Sequence, residues 1–470
     1  MKKIILGCSL VLALNNILAQ PVLKEWESFN KDNKKDQFDG FLGADETGFY
    51  LAVGNKAEKK NYLEKRDKQN GALIYRKDMN AEAAFSFVSG KNIVVLYNTF
   101  DKPTDTRTLT ASVFLCSNGE KVKDFELCKM KAQLEMGNHT FDYGFSLSPD
   151  HSKFLVVPHH TWYIHEVNDL QLFDAGKMSL IWKKDFDQKQ IITDRYEVDN
   201  DGDVVFAEDQ SIGMIPNKSK EATKTKLQFP DDVYPKEIAL KFSSGDVIAA
   251  CVYKRSNDNG ISGGVAFFRV GLSDLKIKQK SIVDFDKLAS EKLTWEDPDV
   301  RKFPGEKSFK NIDLVEEGGS FYLVAEQSLR YQMDGRAIRY SHGELVVSKF
   351  AGDEIKWTKV LPRNTDVQDL NCNIVATPDK ISLVYPESPA SEKYNAENYP
   401  QGKLKPAYNC RDSYVVSYTI DSGGAVAKSL IKKNKDACIF PQKPNTLLDK
   451  NSLLLYLDES RIGKFGMLTF

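Results

Sequence analysis

Histidine placement is the feature of this chain that most invites a chemical reading. Five of its six histidines, His139, His151, His159, His160 and His165, fall in one short stretch. Neutral imidazole is a common metal ligand, so His159, His160 and His165 form a candidate metal site. Strand geometry works against it. Adjacent residues on a strand point to opposite faces, and His159 and His165 would lie about 20 Å apart on an extended chain. The three meet only if residues 161–164 turn. No H-E-x-x-H pattern or flanking carboxylate set joins them, and the alternative is a role as hydrogen-bonded loop histidines.

Asp199-Asn200-Asp201-Gly202-Asp203 resembles the start of a calcium loop. An EF-hand needs Gly at its sixth position and Glu at its twelfth. Those positions are Val204 and Gln210, so the segment reads as an Asx-Gly hairpin turn. Calcium or another metal stays a minor option, and no cofactor is expected. The sequence holds neither a G-x-S-x-G elbow nor a Walker A segment. Gly263-Gly264, Gly318-Gly319 and Gly423-Gly424 sit beside strands with no helix following, which suits turns or bulges and not phosphate loops. Tyr331, Tyr340, Tyr394, Tyr399 and Tyr408 fall in or near expected long loops, where they would stack on sugars or peptides or pack the loops down.

The elements that must position these residues are strands. One unit recurs: an apolar segment, a tight turn of Gly, Asp, Asn or Ser, then a strongly β-forming run. Gly43–Gly48 precedes Phe49–Val53, and Phe85–Asn92 precedes Ile93–Tyr97. Phe145–Asp150 leads to Phe154–Val157, Tyr196–Gly202 to Val204–Phe206, and Phe242–Asp246 to Val247–Ala250. Leu314–Gly319 precedes Phe321–Val324, Ile374–Asp379 precedes Ile381–Tyr385, and Leu447–Asn451 precedes Leu453–Tyr456. Most copies are followed by a second hairpin, as at Tyr62–Arg66, Asn70-Gly71 and Leu73–Tyr75. Two successive hairpins make four antiparallel strands, one β-propeller blade. Packing such sheets around an axis buries both faces, which accounts for the continuous apolar runs.

The expected fold is therefore all-β: a β-propeller of four-stranded antiparallel blades, eight in number, though the spacing also admits seven or six. Two stacked β domains are the competing arrangement. The fourth unit is the shortest. The last lacks an outer strand, which the segment near Val22–Trp26 would supply, closing the ring. A short helix is expected at Lys287 to Leu293, and long loops at Asp297–Lys307 and Pro386–Tyr408. Such loops gather at the ends of a propeller axis, where binding is placed.

Residues 1–19 read as a leader. Lys2 and Lys3 precede the apolar run Ile4–Leu14, with cleavage after Ala19. The run is shorter than the ~20 residues that span a bilayer; an uncleaved anchor is the alternative. Cys8 mimics a lipoprotein acceptor, but only Ile4, Ile5 and Leu6 stand before it, far short of the ~7–15 apolar residues required. No later stretch is long and apolar enough to span a membrane. Residues 20–470 are expected to form a single propeller-like domain. A formal charge of −1, with 28% charged residues and no basic block, argues against nucleic acid as partner. The six cysteines beyond the leader are too few for a disulfide scaffold. Cys116 and Cys128 would lie about 23 Å apart along their ladder, too far for a bridge.

Several segments resemble the uncharacterised secreted β-propeller-like proteins of Bacteroidota. They are the leader end Leu18-Ala19-Gln20, Gly48-Phe49-Tyr50, Tyr62-Leu63-Glu64-Lys65, Glu344–Phe350 with Ile355-Lys356-Trp357, and Ile462–Phe465. The resemblance implies export and a propeller-like fold, and it carries no catalytic residue. Periplasmic or outer-envelope residence follows, with extracellular release as an alternative. The leading functional expectation is a non-enzymatic binding or scaffolding protein engaging a protein or glycan at its axial face. The other is a propeller hydrolase or lyase acting on glycans.

Overall fold

The computed structural model describes residues 20–28, 35–131, 134–135, 138–139, 142–159, 166–191, 196–208, 210–219, 221–235, 237–255, 263–293, 305–333, 337–363, 372–389, 413–433, 438–440, 447–459 and 462–470. Its strands form eight antiparallel blades around an axis. Blade 1 comprises Asp36–Ala44, Gly48–Asn55, Lys60–Asp67 and Leu73–Met79. Blade 2 comprises Phe85–Ser89, Asn92–Asp101, Thr106–Leu115 and Lys121–Lys131. Blade 3 comprises Asp142–Leu147, Lys153–His159, Glu166–Asp174 and Ser179–Ile191, and blade 4 the short strands Tyr196–Val198, Val204–Glu208, Ser211–Ile215 and Thr223–Lys226. Blade 5 runs Ala239–Ser243, Asp246–Arg255, Gly263–Gly271 and Ile277–Asp284. Blade 6 runs Gly305–Glu317, Ser320–Met333, Ala337–Ala351 and Glu354–Leu361, and blade 7 Asn373–Thr377, Lys380–Glu387, Tyr414–Asp421 and Val426–Lys433. Blade 8 is built from Leu447–Asp449, Ser452–Glu459 and Ile462–Thr469, with Cys438–Phe440 also pairing on its second strand.

The expected ring closure is present. Val22–Ser28 pairs antiparallel with Ile462–Thr469, Val22 opposite Thr469 and Leu23 opposite Leu468, as the outer strand of blade 8. Second and third strands are sealed on both faces; Gly48–Asn55 is buried throughout. Eight apolar clusters fill the eight interfaces between neighbouring blades. The last, around Trp26, Phe49, Leu454 and Phe465, joins blade 8 to blade 1. Among the described residues the two clusters flanking blade 8 are the smallest.

Outer strands present an open edge, a liability that bulges and lysines blunt. Seven of the eight outer pairings shift register through a bulge; the pairing of Ser211–Ile215 with Thr223–Lys226 in blade 4 is regular. The bulge aims one side chain at the next blade. Tyr75 lies over Gly119, which holds φ +70 and where a Cβ would stand 2.5 Å from the ring, and its hydroxyl donates to Cys116 O at 3.3 Å. Trp357 Nε1 donates to Ser422 O at 3.2 Å, and Gln279 Nε2 to Gly352 O at 2.7 Å. Each is an inter-blade clasp.

Lys65 Nζ joins the first clasp, donating to Cys116 O at 3.0 Å and to Asp45 Oδ2 at 2.8 Å. Burial alone pushes the Asp45 carboxyl upward, but hydrogen bonds from Lys65, Tyr50 and Thr47 outweigh it and hold its pKa at about 2, below the usual 3.8. A depressed folded-state value means the charged form stabilises the fold. That stability is fully present above about pH 4 and is lost as pH falls through about 2. Asp45→Asn will remove this acid-sensitive component, seen as a flatter urea-midpoint profile over that window.

Gly213 illustrates the packing limit. A Cβ there would sit 2.1 Å from Phe206 Cζ. Overpacking a sealed core costs about 1–3 kcal/mol, so Gly213→Ala will lower the urea midpoint by a corresponding amount.

Two local readings change. Tyr331 and Tyr340 lie on strands: Tyr331 pairs with Arg339 and Tyr340 with Arg330 in a blade 6 hairpin longer than its alternation suggests. The sequence suggests a two-residue Asn118-Gly119 turn with Cys128 opposite Leu109; the turn after Leu115 instead spans Cys116–Gly119, with Leu115 N donating to Glu120 O. Bulges then restore Cys128 to a place opposite Leu109, and both cysteines are free. The helix Lys287–Lys292 forms where expected, with the Asp286 carboxylate accepting from Ala289 N at 2.7 Å as its N-cap.

Candidate functional site

Antiparallel order fixes two unlike ends. Hairpins between first and second strands, and between third and outer strands, close one end with tight turns. Links between second and third strands, and between blades, leave from the other end; they include residues 388–413 and 362–372. The two sequence candidates lie at opposite ends. His159 closes the second strand of blade 3 at the long-loop end, opposite Asp142; His160 and His165 fall outside the described residues, as do residues 1–19. The Asp199–Asp203 turn is at the tight-turn end.

Protein donors already engage that turn. Asp203 N donates to Asp199 Oδ1 and Asn217 N to Asp203 Oδ1, both at 2.8 Å, and Asp150 N donates to Asn200 Oδ1 at 3.0 Å. Burial raises the Asp199 pKa, against the backbone donors. His151 is a structural staple: Nδ1 donates to Val88 O at 2.6 Å, and its carbonyl accepts from Ser89 Oγ at 2.9 Å, tying blade 3 to blade 2. Among the described residues no group of three His, Cys, Asp or Glu is placed to share a metal ion.

The axial wall carries a denser arrangement. A cavity of about 260 Å³ lies against the innermost strands of blades 5 to 8, where blade 8 contributes only Leu447–Asp449 and recesses the wall. Lys241, Asp313, Glu317 and Asn373 bring polar groups to it, and Ile374 and Leu447 bring apolar ones. Ser243 Oγ donates to Glu316 Oε1 at 2.7 Å, joining the inner strands of blades 5 and 6.

Behind this wall lies a buried ionic layer. Lys428 Nζ is 2.6 Å from Glu387 Oε2, and Tyr418 Oη donates to Glu387 Oε1 at 2.9 Å. Arg363 pairs with Glu326, and Tyr385 Oη donates to Pro362 O at 2.8 Å. Cys372, on the cavity wall, is pushed up to about 12 by burial, with Arg363 opposing and Glu326 adding, which keeps it a thiol and a poor nucleophile. These acids each meet a base of their own.

One carboxylate differs. Asp39, on the innermost strand of blade 1 at the long-loop end, is exposed yet raised in pKa by partial burial and by Glu82, with Lys56 opposing. Its carboxylate occupies the space over Gly54, where a Cβ would stand 2.4 Å from Oδ2. Sequence reading missed Asp39 and the ionic layer. A Glu or Lys within an alternating strand reads as solvent-facing, and only the doubly packed blade buries it.

No family model and no curated protein sequence matches the chain. Solved structures do match in overall arrangement. The β-propeller domain of the trilobed protease from Pyrococcus furiosus, described as having an open velcro topology, is 9% identical over 86% of this chain and 97% of its own, with a TM-score of 0.38. Polysaccharide lyase Uly1 is 9% identical over 82% of this chain and 89% of its own, with a TM-score of 0.38. U3-55K is 8% identical over 85% and 98%, with a TM-score of 0.37.

Proposed function

We propose that this chain is an exported, non-enzymatic binding or scaffolding propeller of the bacterial cell envelope, engaging a protein or glycan partner at the long-loop end of its axis. The observation that carries the reading is the asymmetry of the two ends. One is closed by hydrogen-bonded turns, and all long connections leave from the other. Loops held by a rigid scaffold are where binding is usually placed. The buried acids of blades 6 and 7, each held by Lys428 or Arg363, support a fixed charged wall over a proton-transfer site. Residues 1–19 would direct export and be removed.

The test is binding of an oligosaccharide panel and of cell-envelope extract to the purified chain, compared with Asp39→Lys and Lys56→Glu at the long-loop end. Retained ligand that is lost in either variant supports the reading; identical retention by all three contradicts it. Fractionation of cells producing the chain with and without residues 1–19 tests the export claim. The glycan hydrolase or lyase alternative draws on Asp39, a raised carboxyl beside Glu82 at the mouth. Product release from the panel that disappears in Asp39→Asn would establish that alternative, and binding without turnover would remove it.

A further inference from the structure

At the blade 4–blade 5 interface the clasp is missing. In blades 1, 3, 5 and 6 the residue after the bulge, namely Tyr75, Trp182, Gln279 and Trp357, pairs with Lys65, Leu172, Arg269 and Lys349 of the third strand. The equivalent residue in blade 4 is Thr223, opposite Met214, on an outer strand of four residues with no bulge. Thr223 is exposed. Beyond it lies a cleft of about 690 Å³ between blade 4 and the turn Leu272–Ile277 of blade 5. Leu275, at φ +50, fills part of the place that an aromatic ring takes elsewhere, much as Met178 does at φ +52 in blade 3. In blade 3 the neighbouring outer strand is long and bulged; in blade 4 it is short and the cleft stays open.

Two independent features define what fits. The first is the edge. Among the described residues, strand 223–226 is the outer strand with a regular pairing on its inner side, and a regular outer edge offers unpaired N–H and C=O groups to an added strand. The second is charge. Lys224 and Lys226 flank the cleft from the opposite face of the edge strand, Lys224 over the Phe206 ring, and Lys276 stands across the cleft beside its single acid, Asp274. Lys224 is held by Glu208 and Lys276 lies 3.5 Å from Asp274, while Lys226 has no ion pair among the described residues. Lysines on the edge repel a second copy of the same strand and attract an acidic one. The floor of Met214, Leu272 and Leu275 would receive an apolar anchor, and Tyr75, Trp182 and Trp357 of blades 1, 3 and 6 show that a ring fits such a place.

We infer that the blade 4–blade 5 cleft docks an extended acidic segment of a partner protein, added as a fifth strand along Thr223–Lys226 with one aromatic side chain in the cleft. This surface is on the rim, apart from the axial face, and does not depend on the function proposed for that face.

The probe is a short fluorescein-labelled peptide with a central Trp between alternating Val and Asp, read by fluorescence anisotropy on the full chain. The expected result is saturable binding that weakens about tenfold or more, equivalent to about 1.4 kcal/mol, when the central Trp becomes Ala or when Asp is replaced by Lys. Thr223→Trp supplies the missing clasp and will exclude the probe to the same degree; Lys226→Glu, a surface change that leaves the core intact, will do so by repulsion. No binding of the acidic Trp peptide, or binding unchanged in Lys226→Glu, would overturn the inference.

Discussion

Removing residues 20–28 will leave the ring open, and Trp26→Ala alone will cost about 3–5 kcal/mol, the usual range for deleting a buried large aromatic. Trp26 is only 7% exposed, and its ring stacks on Phe49 at 5.5 Å and 15°. It also covers Gly71, where a Cβ would stand 2.7 Å from the ring. The strand is pinned on both sides. Lys24 Nζ donates to Gln69 O at 2.9 Å in blade 1, and Lys432 Nζ of blade 7 pairs with Glu25 at 2.7 Å. Without it, Ile462–Thr469 becomes an exposed edge, and the interfaces flanking blade 8, with the fewest buried residues among those described, lose their anchor. Urea unfolding followed by tryptophan-independent circular dichroism will show the lower midpoint in Trp26→Ala. A truncated chain will show an early transition or aggregation. Wild-type behaviour of both would remove the N-terminal strand from the closure.

Glu64→Leu will be comparably damaging, by about 3–5 kcal/mol, because it removes the buried carboxylate that Arg66 and Arg76 share. Glu64 is fully buried on the face of blade 1 turned toward blade 8. Its Oε2 accepts from Arg66 Nε at 2.8 Å, and its Oε1 accepts from Arg76 Nε at 2.8 Å. Arg76 also pairs with Asp36 and lies 4.5 Å over the Tyr62 ring, while Asn55 Nδ2 donates to Asp36 Oδ1 at 2.9 Å. The cost lies in the uncompensated charge, so Glu64→Leu combined with Arg66→Leu will recover part of the loss. A double variant no more stable than Glu64→Leu would show that the pair contributes mainly through shape.

The eight hairpins were legible in sequence because each tight turn uses residues that tolerate it, such as Asp199–Gly202, Ser244-Gly245 and Gly318-Gly319, and each introduces a continuous β-branched or aromatic run. The donated strand was legible from an imbalance: the last unit lacks an outer strand, and Val22–Trp26 has strand character with no partner nearby. The charged core was not. Tyr62-Leu63-Glu64-Lys65-Arg66 alternates like a half-exposed strand, yet in a blade both faces meet neighbours, and Glu64 and Lys65 are buried on opposite sides. The bulges were also silent, since one extra residue in an outer strand leaves its hydrophobic pattern almost unchanged. At the sites, His151 stood in the histidine-rich stretch without a ligand role and serves as a staple, because a turn residue at positive φ brings its ring onto the neighbouring blade. Asp39 gave no signal at all; its environment is made by Gly54 and Glu82 from other segments.

Amide hydrogen exchange of the N-terminal strand tests the central claim, a ring of eight blades closed by its own N-terminus, most directly. Val22–Glu25 pairs with Gly466–Thr469 in continuous register. Peptides covering residues 22–28 should therefore be protected over the same labelling times as those covering 462–469, and should lose protection together with them under mild denaturant. Complete exchange of residues 22–28 at the shortest labelling time, with 462–469 still protected, would contradict the closure.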